Sequence, residues 1–247
     1  MSTKTYSCEF FPPKSEQGDA NLAATWEILR TKNPAFFSVT YGAGGSTKEK
    51  TFTTVQRIRE AGLAVAPHLS FGGDAQESVI ELLDQYREMG INRLVALRGD
   101  LPSGMGGSHL VYANELVTFI RKHSGDYFHI EVAAYPEIHP QAESFDKDLY
   151  YLKNKLDAGA NSAITQYFYN ADAYFYFIDR CQVIGIDKPI VPGIMPITNF
   201  ANLARFSDAC GAGIPRWVRK RLESYADDVE SIQAFGIELV TGLCENY

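Results

Sequence analysis

Glu9 stands inside "CEFFPPK" (8–14), a carboxylate in an aromatic run that two prolines cut short. Burial makes charge expensive, so an acid in that setting calls for a reason. Other groups able to do acid–base or anion-binding chemistry recur along the chain: His68 after Pro67, Arg98 and Asp100 in "RGD", Tyr135, Glu137 and His139 in "YPEIHP", and Gln166 in "ITQ". Asp148 and Lys155, in "DLYYLKNK", are two helical turns apart and share a face with Tyr151. Each has a plainer reading beside the chemical one. His68 reads also as a core histidine, Arg98 and Asp100 as a structural ion pair, Gln166 as a loop tie, and Asp148 with Lys155 as a solvated face. His109, His123 and His129 show no partner pattern and read as structural or exposed.

The elements that must position these residues alternate strictly. Strand patterns lie at 5–11, 35–40, 63–70, 92–98, 128–134, 162–168 and 189–195. Helical patterns lie at 19–31, 47–61, 75–89, 112–123, 144–158 and 171–184, with further helices in the tail at 198–210, 215–225 and 227–246. Ser46 or Thr47 suits an N-cap, and Gly90 and Gly185 suit helix C-ends. Repeated βα units predict a parallel sheet with helical crossovers. Seven in tandem predict an α/β protein of the (β/α)8 TIM-barrel class, as one domain over 1–247 with the eighth unit absent from this sequence. In such a fold the site lies at the C-terminal ends of the strands. Glu9, Thr40, Tyr41, His68, Arg98, Gly99, Asp100, Tyr135, Glu137, His139, Gln166, Thr198, Asn199 and Phe200 all fall there. Polar residues converging from nearly every strand favour an enzyme or a ligand-binding protein.

Several classes are disfavoured. The net charge of −7 without a dense Lys/Arg block argues against nucleic acid. There is no secretory signal pattern and no run of about 18 apolar residues, so a cytoplasmic protein without membrane spans is expected. Cys8, Cys181, Cys210 and Cys244 are scattered, which predicts reduced thiols and no metal site. "YGAGGST" (41–47) follows a strand and opens a helix, a setting suited to an anion, but neither it nor "GDLPSGMGG" (99–107) makes G-x-G-x-x-G, so no Rossmann site is expected. The aromatic stripe at 167–177 reads as packing.

"EFFPPK", "SVTYGAGGST", "APHLS", "ALRGDLP", "AAYPEIHP", "KLDAGANSAITQYFYN" and "PGIMPITNF" occur in the order seen in bacterial methylenetetrahydrofolate reductases. The resemblance runs from about residue 6 to the end of the chain. It implies a flavoprotein holding FAD non-covalently, reduced by NADH or NADPH. In ping-pong fashion it then reduces 5,10-methylenetetrahydrofolate to 5-methyltetrahydrofolate for methionine biosynthesis. Glu9 matches the family's general acid, a role for which burial among aromatic neighbours is expected to raise its pKa. Asp100 matches the aspartate close to flavin and pterin, Gln166 a substrate-orienting amide and Phe200 a residue packing on folate. Thr40 is implied in both substrate and FAD binding. FAD contacts are further implied for His68, Arg98, Gly99, Asp100, Tyr112, Ala113, Tyr135, His139, Asp148 and Lys155. The Arg, His and Lys members suit the pyrophosphate and ribose. The resemblance also implies a homo-oligomer.

There is one departure. The family continues into an eighth strand with a loop and helix that add substrate contacts, whereas this sequence ends at "LCENY". Since every other motif is intact, the natural chain is expected to continue. The alternative is an FAD- or folate-binding protein of the same fold whose activity is impaired or lost because the closing strand is missing. A lyase acting on a phosphorylated sugar would want a Schiff-base lysine or a metal cluster at a strand end, and neither is seen.

Overall fold

The structure is a computed structural model, described over residues 4–41, 48–70, 76–98 and 112–246. Strands and helices alternate as β1 (Ser7–Phe10), α1 (Glu16–Arg30), β2 (Phe36–Val39), α2 (Lys48–Glu60), β3 (Val65–Leu69), α3 (Gln76–Glu88), β4 (Arg93–Ala96) and α4 (Ala113–Ser124). They continue as β5 (His129–Ala134), α5 (Phe145–Asp157), β6 (Ser162–Thr165), α6 (Ala171–Val183), β7 (Ile190–Val191), α7 (Phe200–Cys210), α8 (Arg216–Ser224) and α9 (Val229–Cys244). This is the β/α alternation of the TIM-barrel class, with seven of its units among the described residues. The chain forms two compact units, Met1–Val132 with Ala158–Ala160, and Ala133–Asp157 with Asn161–Tyr247.

In the first unit β1, β2, β3, β4 and the first four residues of β5 pair in parallel and in chain order. All five residues of β3 are buried, as expected of a strand covered on both faces. Phe37, Leu69, Leu94 and Ile130 from the strands, with Ile58, Leu83, Leu116 and Ile120 from the helices, are fully buried. In the second unit β6 pairs in parallel with β7, and the Gln166 N–H donates to the Ala134 carbonyl at the end of β5. Its core gathers Tyr167, Tyr169, Ile197, Leu203, Val218, Leu222 and Ile232.

The ends of the elements show where local chemistry overrode the hydrophobic pattern. Helix α1 starts at Glu16 and not at residue 19, because the Ser15 hydroxyl accepts from the Gly18 N–H at 3.1 Å. Strand β6 stops at Thr165, short of 168. The Gln166 side chain takes the Tyr167 N–H at 3.0 Å, and Tyr167 and Tyr169 turn into the core. Strand β7 is only two residues long, bounded by Pro189 and Pro192, which have no N–H to give a ladder. Gly90 and Gly185 end their helices at φ +71° and +75°, as expected. Ser46 and Thr47 lie outside the described residues.

Candidate active site

In the first unit the strand register explains how an acid meets a base. Glu9 pairs with Ser38, and Ser38 with Ala66. His68, two residues beyond Ala66, returns to the same face of β3. Its Nε2 lies 3.3 Å from Glu9 Oε2. The pair is at ion-pair distance without hydrogen-bond alignment, so the buried Nε2 has no hydrogen-bond partner among the described residues. Thr40 follows β2, its N–H donating to the Phe10 carbonyl and its own carbonyl accepting from the Thr51 hydroxyl. The Thr40 side-chain oxygen is buried and likewise unpartnered.

The expectation of a raised pKa for Glu9 is corrected. Desolvation is the largest influence on this carboxyl and raises it. The close contact with His68, the charge of His68 and a hydrogen bond from Ser38 together outweigh it, so the carboxyl titrates below its ordinary range. With 48% of its side-chain surface open to solvent, Glu9 sits at a mouth, where water limits desolvation. The aromatic enclosure is partial: Phe10 stacks on Phe37 at 5.3 Å, but Phe11 is exposed.

In the second unit α5 turns its Asp148/Lys155 face onto β5 and the loop after it. Asp148 Oδ2 accepts the His139 N–H at 2.8 Å, and Lys155 Nζ donates to the Ala133 carbonyl at 2.6 Å. The solvated-face reading of this pair is therefore wrong for both residues, although Tyr151 is exposed. Burial raises the Asp148 pKa, opposed by its hydrogen bond from His139 and by the charge of Lys155. Tyr135 meets the His139 ring edge-on at 4.5 Å. Gln166 spends its carbonyl on the Tyr167 N–H, which leaves its NH2 as the group to offer a ligand. Phe200, the first residue of α7, is half-buried against the Tyr167 core, with the Arg219 guanidinium 6.0 Å from its ring.

All residues, 1–247, match the family described as Methylenetetrahydrofolate reductase. The 5,10-methylenetetrahydrofolate reductase of Pectobacterium carotovorum subsp. carotovorum is 42% identical over 234 residues, 94% of this chain and 78% of that one. The chain belongs to the methylenetetrahydrofolate reductase family. "Methylenetetrahydrofolate reductase (NADH) 1" of Arabidopsis thaliana is 39% identical over 257 residues, 97% of this chain and 43% of that one. A solved structure of a Clostridium thermocellum protein that binds two copies of 5-methyl-5,6,7,8-tetrahydrofolic acid covers 98% of this chain and 81% of its own, with a TM-score of 0.66 and 15% identity. It bears on the fold alone, and agrees with the TIM-barrel class. A methylenetetrahydrofolate reductase is an oxidoreductase of one-carbon metabolism, and that is the enzyme class of this chain.

The residues expected of such a reductase divide unevenly. Glu9, Thr40 and His68 cluster at the ends of β1, β2 and β3, and Arg98 is half-buried two residues beyond β4. Tyr112 is exposed just ahead of α4, its N–H held by Glu115 at 2.7 Å, and Ala113 is buried. Tyr135, His139, Asp148 and Lys155 are linked through β5 and its loop. Gly99 and Asp100 lie outside the described residues, as does His109. Sequence reasoning missed Ser38, which touches the acid. The signal was there: Ser38 and Thr40 alternate along "FFSVT" and face the same way. Among the described residues no group of His, Cys, Asp and Glu could hold a metal, and no helix is long and apolar enough to cross a membrane.

Proposed function

We propose that this chain, acting as one flavoprotein domain over 1–247, reduces 5,10-methylenetetrahydrofolate to 5-methyltetrahydrofolate by a ping-pong reaction through non-covalent FAD. Non-covalent FAD supplies the two-electron chemistry, linking oxidation of NADH or NADPH to reduction of the folate methylene group. The observation carrying this reading is the cluster at the strand ends of the first unit. An acid stands against a histidine there, and two buried polar atoms, Thr40 Oγ1 and His68 Nε2, have no hydrogen-bond partner among the described residues. Buried polar atoms without partners are rare, and a ligand rich in ring nitrogens and oxygens suits them. By the family resemblance, Thr40, His68, Arg98, Gly99, Asp100, Tyr112, Ala113, Tyr135, His139, Asp148 and Lys155 would contact FAD.

Glu9 would hold the proton that opens the folate imidazolidine ring, delivering it to the ring nitrogen so that the methylene carbon becomes an electrophilic iminium. In the free chain His68 and Ser38 favour its carboxylate. Folate bound over the mouth would exclude water and strengthen desolvation, already the largest influence on this group, so that the carboxyl takes up a proton. Gln166 would orient the pterin through its NH2 group, Phe200 would pack on the folate, and Asp100 would tune hydride transfer by its charge. The name of the plant relative supports NADH as the reductant to try first, and the names of the bacterial relatives support the substrate class. The chemistry implies a cytoplasmic enzyme with small-molecule partners, and the family implies a homo-oligomer.

The test is an anaerobic titration of the purified protein. Flavin absorbance should bleach with NADH and return on adding methylenetetrahydrofolate. Protein that cannot be loaded with FAD would sink the reading. Bleaching without return would favour the alternative, a flavin-binding barrel that has lost folate reduction.

A further inference from the structure

The geometry points to Glu137 as a positioning residue, a latch that holds the loop after β5 in the strained form that presents His139. The inference rests on the proposed role of His139 in binding FAD. The loop runs from Tyr135 to Ser144, and three observations in the second unit define the latch.

First, Glu137 Oε2 accepts the Gly213 N–H of the α7–α8 turn at 2.8 Å. A Cβ at Gly213 would lie 2.8 Å from Glu137 Oε1, so a side chain there would push the carboxylate aside. One residue pair away, Gly211 has φ +76°, and a Cβ there would meet Pro140 Cγ at 2.9 Å. Second, Ile138 has φ +71°. A β-branched residue in the left-handed region is a backbone outlier, and it persists only where its surroundings over-determine it. Third, the next residue is anchored on the other side. The His139 N–H goes to Asp148, its carbonyl accepts from Ala142 N–H at 2.8 Å, and its Nδ1 accepts from Gln141 N–H at 3.0 Å. An Nδ1 that accepts puts the ring hydrogen of a neutral imidazole on Nε2.

Ile138 is thus clamped between two tethers, Glu137 to Gly213 and His139 to Asp148. Releasing Glu137 lets Ile138 relax to negative φ, which turns the His139 ring away from its present setting. A ligand that needs His139 would then see only the fraction of molecules still in the competent form, and its apparent affinity falls by that fraction.

Amide hydrogen exchange and FAD binding, followed by quenching of flavin fluorescence, test this in the full chain. Glu137→Ala should lose protection at Gly213 and bind FAD about tenfold more weakly. Glu137→Gln, which keeps an acceptor for the Gly213 N–H, should stay within about twofold of the parent. Adding Ile138→Gly to Glu137→Ala should recover most of the affinity, because glycine adopts positive φ without strain. A merely structural role would leave that double variant no better than Glu137→Ala, and such a result overturns the latch. So does unchanged FAD affinity in Glu137→Ala while His139→Ala weakens binding. If His139→Ala binds FAD as the parent does, the assigned role of His139 is wrong, and the presentation of His139 to FAD falls with it. Exchange at Gly213 then reports only whether the tether exists.

Discussion

His68 Nε2 stands 3.3 Å from Glu9 Oε2, a buried imidazole beside an acid that is half open to solvent. The relationship sets the protonation of the acid before any ligand arrives. Contact with His68 and its charge lower the Glu9 pKa, so removing them must raise it. His68→Gln is expected to move the Glu9 titration upward, measured by carboxyl carbon NMR against the parent. An unmoved titration would remove His68 as the cause. The sign for stability follows: a depressed carboxyl stabilises the fold above its unfolded pKa, and the contribution is lost as pH falls through the folded value.

Glu9→Gln separates the two half-reactions. An amide keeps the shape and donates no proton, so folate reduction should fall by about 10²- to 10⁴-fold, the usual worth of a general acid. Flavin binding and nicotinamide oxidation should persist, followed by anaerobic rapid mixing. Equal loss of both half-reactions would show that Glu9 serves the cofactor and not the folate.

Thr40→Val sets stability against binding. The hydroxyl is buried without a described partner, and valine has the same shape without the unmet polar atom. The ligand-free protein should be unchanged or more stable by about 1 kcal/mol in urea melts, while FAD affinity falls. A destabilised variant would mean that the hydroxyl already has a partner in the free protein.

His129 gives an acid limb to stability. Burial, then the charges of Arg93 and Arg121, push its pKa down to about 4. Glu131 lies 3.8 Å away and would oppose this, but its carboxylate is already held by Arg93 at 2.6 Å. A folded value of about 4 below an unfolded value of about 6.5 means that the unfolded chain binds more protons between them. Stability is complete above the upper value and drains as pH falls toward the lower. Thermal melts should show the parent losing more Tm over this window than His129→Gln. Parallel losses would mean that His129 titrates normally.

Much of the fold was legible because parallel βα repeats write themselves as alternating apolar runs. All seven strands fall inside the segments read from periodicity, and the helix C-ends at Gly90 and Gly185 follow from their need for positive φ. The boundaries were less legible, because side chains decided them. Ser15 began α1 early, and Gln166 ended β6 by taking the next N–H.

The site follows the same division. Sequence by itself determined the family and the residue types at the strand ends, since long motifs such as "ALRGDLP" and "KLDAGANSAITQYFYN" carry identity in their order. Tertiary structure decided what those residues touch. Strand register put His68 beside Glu9 and reversed the expected direction of its pKa. Packing of α5 decided between the solvated-face and ligand-facing readings of Asp148 and Lys155 by setting them against β5 and its loop. Spacing along a chain states which face of one element a side chain occupies. A pKa depends on charges and solvent brought close by other elements, and those distances exist only once the strands have paired.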